Sequence, residues 1–129
     1  MVVEGKLPKI LVIDDDPTVI SLTQGVLSSN GFEVLTAQEA SQGLEMAMKD
    51  SPQLIILDVM MPIINGFNIC RLMKSQETFK HIPIILLTSR SQEQDRKIGE
   101  EVGADAYVTK PFKTEELLSK INSLLPTRK

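Results

Sequence analysis

At Lys9 to Thr18 the chain reads KILVIDDDPT, an apolar run that ends in three successive aspartates. Two carboxylates about 4 Å apart repel by roughly 4 kcal/mol even at an effective dielectric near 20, so such a run needs solvent, a helix amino terminus or a cation beside it. Asp16 stands before Pro17, the pattern of an N-cap followed by proline at the first helical position, and this accounts for one acid. Asp14 and Asp15 remain. Other polar residues end apolar runs in the same way: Asp58 after LIIL, Thr88 after IILL and Lys110 after AYVT. If these runs are parallel strands, all five side chains share the carboxyl edge of one sheet, where open α/β folds bind ligands. Carboxylate oxygens suit a hard cation, and magnesium typically takes one or two of them with waters and a phosphate. A lysine and a hydroxyl alongside would complement the phosphate oxygens.

The elements that must position these groups can be read from apolar spacing. KILVI, FEVLT, LIIL, IILL and AYVT are mostly too continuous for strands with one wet face, so they read as parallel strands buried on both sides. Helix patterns lie between them. Val19, Leu22 and Val26 recur at helical spacing until Asn30-Gly31, and Ala40, Leu44, Ala47 and Met48 mark a second helix ending before Pro52. Ile69, Leu72 and Met73 mark a third, after a turn at Asn65-Gly66. Ser91 to Gln94 has capping-box spacing, but the helix it opens, about 92–101, brings little beyond Ile98 and Val102 and is expected to be the least firmly held. Thr114 is expected to cap the last helix, with Glu115 and Glu116 in its first turn and Leu117, Ile121 and Leu124 facing inward. Strand and helix alternate throughout, and right-handed crossovers give an α/β doubly wound sheet with helices on both faces. Residues 9–125 form the domain, with tails at 1–8 and 126–129.

Composition is ordinary for a globular protein: 129 residues, 42% hydrophobic and 24% charged. A net charge of -3 without a basic stripe gives no case for nucleic acid or anionic membrane. The single cysteine, Cys70, excludes an internal disulfide and fits a reducing, cytoplasmic setting. No segment is apolar for long enough to span a bilayer. Cys70 and the methionines read as core filler, and His81, before Pro83 in a loop, as a surface residue.

ILVIDDD, LIILDVMMPIINGF, IILLTSR and GADAYVTKPF together resemble the receiver domain of two-component response regulators, over about Lys9 to Leu125. That resemblance implies a five-stranded flavodoxin-like sheet in the order 2-1-3-4-5. It implies that Asp58 accepts a phosphoryl group from a histidine kinase or phosphotransfer protein. Magnesium (or manganese) would be held by Asp15, Asp58 and the Met60 backbone carbonyl, with Asp14 acting through water. Lys110 would pair with a phosphate oxygen, Thr88 would move toward the phosphate, and Tyr107 would turn inward behind it. The peptide bond Lys110-Pro111 would be cis. Phosphate lifetime would depend on Met60 and Arg90, neither of which aligns a water. The face of helix 92–101, the fifth strand and the last helix would contact a downstream protein, with no direct nucleic-acid or membrane contact, the module being a monomer or weak dimer. Ala106 stands where transcription-factor receivers often carry a second aspartate, which removes a charge from their usual dimer face.

An enzyme is the competing reading. DDDPT also resembles the strand end of haloacid-dehalogenase-type phosphohydrolases, with Asp14 as nucleophile and Asp16 as acid/base. It leaves Asp58 unexplained and lacks an acidic pair at a strand end after Lys110. A flavin-binding module of similar topology would lack aromatics to sandwich the ring.

Overall fold

The computed structural model describes residues 7–61, 65–89 and 93–125. Strands and helices alternate as β1 (Lys9–Ile13), α1 (Pro17–Ser29), β2 (Glu33–Ala37), α2 (Ala40–Asp50), β3 (Leu54–Asp58), α3 (Gly66–Lys74), β4 (Ile84–Thr88), α4 (Glu93–Glu101), β5 (Ala106–Thr109) and α5 (Thr114–Leu124). All strand pairs are parallel, in the order β2-β1-β3-β4-β5. This is the flavodoxin-like arrangement that the family resemblance implies.

Alternation along the strands divides the core between the two faces of the sheet. Leu11, Ile13, Ile55, Leu57, Ile84 and Leu86 pack with residues of α2, α3 and α4, including Ala47, Ile69, Met73 and Ile98. Ile10, Val12, Leu54, Ile56, Ile85, Leu87 and Val108 pack with α1 and α5 through Ile20, Leu27, Leu117 and Ile121. Every residue of β3 and β4 is buried, as their unbroken apolar runs require.

Helix boundaries and faces correct the sequence reading in places. In α1 the buried stripe is Ile20, Thr23 and Leu27, while Leu22 is 58% exposed. The two stripes have identical spacing and differ by one position, about 100° around the helix, and a buried threonine disguised the true one. Met48 and Leu72 likewise face outward, at 68% and 43% exposed. Met48 and Met60 are therefore surface residues rather than core filler. Asn65 is the N-cap of α3, its side chain accepting from Asn68 N at 3.0 Å, so the helix begins at Gly66. Thr114 is the first residue of α5; Lys113 takes the cap position, because its carbonyl accepts from Leu117 N at 3.1 Å. In α4, Ile98 is half-buried as expected and Val102 is buried just past the helix end, but Asp95 and Gly99 are buried too. Ser91 of the capping box, Arg90 and both chain ends (1–6 and 126–129) lie outside the described residues.

Candidate phosphoacceptor site

Three strand ends deliver the acids and the lysine. The β1–β2 ladder continues past β1, with Asp14 N donating to Ala37 O at 3.0 Å, and this fixes the backbone where Asp14 turns inward. Asp14 Oδ1 accepts from Asp16 N, and Asp16 Oδ1 accepts from Thr18 N, both at 2.9 Å. Asp16 is thus the cap of α1, which leaves Asp14 and exposed Asp15 for the site. Asp58 ends β3, and the chain after it doubles back: Gly66 N donates to Val59 O at 2.9 Å. A side-chain carbon on Gly66 would collide with the Asp58 carbonyl, so glycine is what lets α3 start this close to the acid.

Lys110 closes the constellation. Its Nζ donates to Asp14 Oδ2 at 2.9 Å and to Asp58 Oδ1 at 3.3 Å. Met60 N donates to the same Asp58 oxygen at 3.3 Å. The Lys110-Pro111 bond is cis. Asp14 and Asp58 are 1% and 3% exposed, and carboxylate oxygens of Asp14, Asp15 and Asp58 lie within 4.8 Å of one another.

Burial, then the charge of Asp14, pushes the Asp58 carboxyl from its ordinary 3.8 up to about 6, against the pull of Lys110 and the Met60 N–H. Burial works to lower Lys110, but its bonds and charge pairing with Asp14 and Asp58 outweigh that and hold the ammonium above its usual range. One ammonium shared by two buried carboxylates stays firmly charged, yet cannot fully offset either acid. Three carboxyl groups gathered around one ammonium make a place a divalent cation fits, and the donors are the hard oxygens magnesium takes.

Thr88 is fully buried at the end of β4, beside the site's edge. Tyr107, in β5, is half-buried against the α3/α4 side of the core. Its ring rests on α4 at Gly99, and the Arg96 guanidinium carbon sits 5.1 Å from the ring centroid, a cation–π contact. Met60 is exposed next to the acceptor. Cys70 is buried and His81 exposed, as expected. The sequence reading passed over three features here: the buried Asp95, the Arg96–Tyr107 contact and the hydroxyl of Thr109. The Arg96 contact had no signal short of knowing the packing. Thr109 had one, since it immediately precedes Lys110.

The chain matches the response regulator receiver domain family over residues 10–122. Among curated relatives, the DNA-binding dual master transcriptional regulator RpaA of Synechocystis sp. is 40% identical over 119 residues, covering 92% of this chain and 49% of that protein. The alkaline phosphatase synthesis transcriptional regulatory protein PhoP of Bacillus subtilis is 38% identical over 117 residues, covering 91% of this chain and 48% of the relative. The chain spans about half the length of these curated relatives. Among solved structures, the chemotaxis protein CheY4 of Vibrio cholerae aligns with a TM-score of 0.87 at 32% identity, covering 93% of this chain and 100% of that one. The receiver domain of Francisella response regulator 1452 aligns at 0.85 and 28% identity, covering 91% of this chain and 95% of the other.

The phosphohydrolase alternative is not supported. The family match is to a signalling domain, Asp14 is buried with its oxygens engaged by Lys110 and Asp16 N, and Asp16 is used as a helix cap. A match that runs from β1 into α5, on a chain whose buried Asp58 shares a lysine with Asp14, shows that this protein belongs to the response regulator receiver domains, the phosphoacceptor modules of two-component signal transduction.

Proposed function

We propose that Asp58 is the phosphoacceptor and that a phosphohistidine on a histidine kinase or phosphotransfer protein is the donor. The observation that carries this reading is the buried Asp58 carboxylate, which shares the Lys110 ammonium with Asp14 at the sheet's carboxyl edge. Among the described residues, both hydrogen bonds to Asp58 fall on Oδ1, which leaves Oδ2 as the oxygen offered to phosphorus. In the transfer a bond forms from Asp58 Oδ2 to phosphorus, the phosphorus–nitrogen bond to the donor histidine breaks, and that nitrogen leaves with the bonding pair. Lys110 meets the charge on the phosphoryl oxygens as they arrive. Asp15 and Asp58, with the Met60 carbonyl and with Asp14 through water, would hold magnesium (or manganese), which supplies charge neutralisation and orientation of the phosphoryl group.

The buried Thr88 hydroxyl then turns to the phosphoryl group, and Tyr107 follows inward from its seat on α4. A ligand shifts such an equilibrium only through its differential interaction with the two states, and here that interaction is the hydrogen bond from Thr88. The readable consequence is a change on the face of α4, β5 and α5, which we assign to a downstream protein partner. The relatives' names describe transcriptional regulators, one of them DNA-binding. In this reading nucleic-acid contact belongs to other parts of such proteins, and the receiver itself works through protein contacts in the cytoplasm. No helix among the described residues is long and apolar enough to cross a membrane.

The test is phosphorylation with acetyl phosphate and magnesium, followed by mapping of the modified residue. Label on Asp58, lost in Asp58→Asn, is the expected result. Label on another acid, or undiminished label in the variant, would overturn the assignment.

A further inference from the structure

The Thr109 hydroxyl oxygen is buried and has no hydrogen-bond partner. That is uncommon for a side-chain oxygen in a folded protein and calls for an explanation. Thr109 ends β5, directly before Lys110, and its register partner on β4 is Thr88. Register partners on neighbouring strands point to the same face of a sheet. The preceding pair on that face, Leu86 and Tyr107, shows which face it is. A side-chain carbon on Gly99 of α4 would meet Leu86 Cδ1 at 3.3 Å and Tyr107 Cδ2 at 3.2 Å. Thr88 and Thr109 therefore stand side by side, one pleat closer to the carboxyl edge. The backbone ties them to the site, since Lys110 N donates to Thr88 O at 2.7 Å.

The geometry points to Thr109 as a positioning residue of the switch: when the Thr88 hydroxyl donates a hydrogen bond to the phosphoryl group on Asp58, the Thr109 hydroxyl donates to Thr88 Oγ1. Strands about 4.8 Å apart put facing threonine hydroxyls within one rotamer change of hydrogen-bonding distance. A hydroxyl has one donor and two acceptor sites, so Thr88 can donate to phosphate and accept from Thr109 at once. Two O–H dipoles aligned toward an anion also strengthen each other. The resting protein leaves this hydroxyl without a partner and the phosphorylated form supplies one. The same atom thus disfavours the first state and favours the second.

The inference rests on the reading of Asp58 as acceptor and Thr88 as the residue that moves to the phosphoryl group. Beryllium fluoride with magnesium, a non-covalent mimic of the phosphoryl group on a carboxylate, tests both. Its affinity is measured by titration for the parent chain, Asp58→Asn, Thr109→Val, Thr109→Ser, Thr88→Val and the Thr88→Val/Thr109→Val double variant. Urea midpoints are measured for each without the mimic. Thr109→Val should be at least as stable as the parent at rest, because it removes an unpaired buried hydroxyl. It should bind the mimic about three- to tenfold more weakly. Thr109→Ser should restore the affinity, and Thr109→Val should cost nothing more in the Thr88→Val background. Unchanged affinity in Thr109→Val, the same loss with Thr88 already valine, or a less stable resting Thr109→Val would each overturn the inference alone. A parent chain that does not bind the mimic, or binds it equally as Asp58→Asn, would overturn the underlying reading and the inference with it.

Discussion

Replacing Asp58 by asparagine should stabilise the metal-free protein, and the gain should vanish in acid. Burial first, then Asp14, raise this carboxyl from 3.8 to about 6 in the folded chain. In the unfolded chain it returns to its ordinary value. Between about pH 4 and about pH 6 the native state therefore binds more protons than the unfolded state, and stability falls as pH rises through that window. The cost is complete above the folded value and absent below the unfolded one. A shift of about two units at ~1.4 kcal/mol each sets the cost near 3 kcal/mol at neutral pH and above. Asparagine removes the charge, and its carbonyl oxygen can keep the bond from Met60 N. It gives up the charge pairing behind the 3.3 Å bond to Lys110, whose 2.9 Å bond to Asp14 remains. A net gain of about 2 kcal/mol near pH 8 follows, fading to nothing near pH 4. Urea unfolding with a chelator at about pH 8, 6 and 4 measures it, as a midpoint shift of about 1 M at unchanged slope. A variant less stable than the parent near pH 8 would refute the reasoning. So would a gain that persisted undiminished near pH 4, since its origin could not then be the Asp58 charge.

Lys110→Ala should destabilise the chain by about 2 kcal/mol near neutral pH, because it strips the shared cation from two buried carboxylates; the loss in urea should shrink when Asp58→Asn is already present. Magnesium at a hundred times its dissociation constant should stabilise the parent by about 2.7 kcal/mol and Asp15→Asn clearly less. Asp15→Asn should also label poorly with acetyl phosphate, and normal labelling of that variant in chelator would remove Asp15 from the metal site. Phosphorylation should alter amide exchange in α4 and β5, whereas changes confined to residues 40–48 would exclude this output face. Decay of the phosphorylated protein alone, with magnesium, should be slow if the exposed Met60 side chain, which cannot orient a water, covers the approach as we propose. Arg90, outside the described residues, is assigned the pairing with phosphate oxygens. Met60→Asn with Arg90→Glu should speed decay at least tenfold, about 1.4 kcal/mol of barrier, and an unchanged rate would release these side chains from that role.

The site was legible because it is written in residue types that strand ends rarely need. Three acids after one apolar run, and an acid, a threonine and a lysine after others, converge only if the runs are parallel strands, and β1, β3, β4 and β5 place them so. Helix faces were less legible because spacing fixes the period and leaves the phase open. The stripe through Leu22 and the stripe through Thr23 fit equally well, and packing against Ile10 and Val12 decided between them. Caps shifted by one residue for a related reason. A carbonyl at Lys113 begins α5 whether or not the residue there has a capping side chain. Asp95 and the Thr109 hydroxyl were hidden because burial of a polar group is settled by tertiary neighbours, which composition does not reveal.

Apart from the buried Thr23 hydroxyl of α1, two unmet demands of the described residues stand at the site. Asp58 is held ionised only against burial and the charge of Asp14, and the Thr109 hydroxyl is buried without a partner. Elsewhere Lys74 shows what a satisfied group looks like. Its ammonium bonds Lys80 O, Ile82 O and Asp105, and Asp105 in turn accepts from Ile84 N. That network ties down the amino end of β4, while the carboxyl end of the same strand carries Thr88 beside the Thr109 hydroxyl, which has no partner. A two-state element needs this asymmetry, because a ligand can shift only an equilibrium in which it satisfies one state better than the other. In the proposed switch, the rigid end of β4 fixes the strand and the Thr109 hydroxyl gives phosphorylation something to complete.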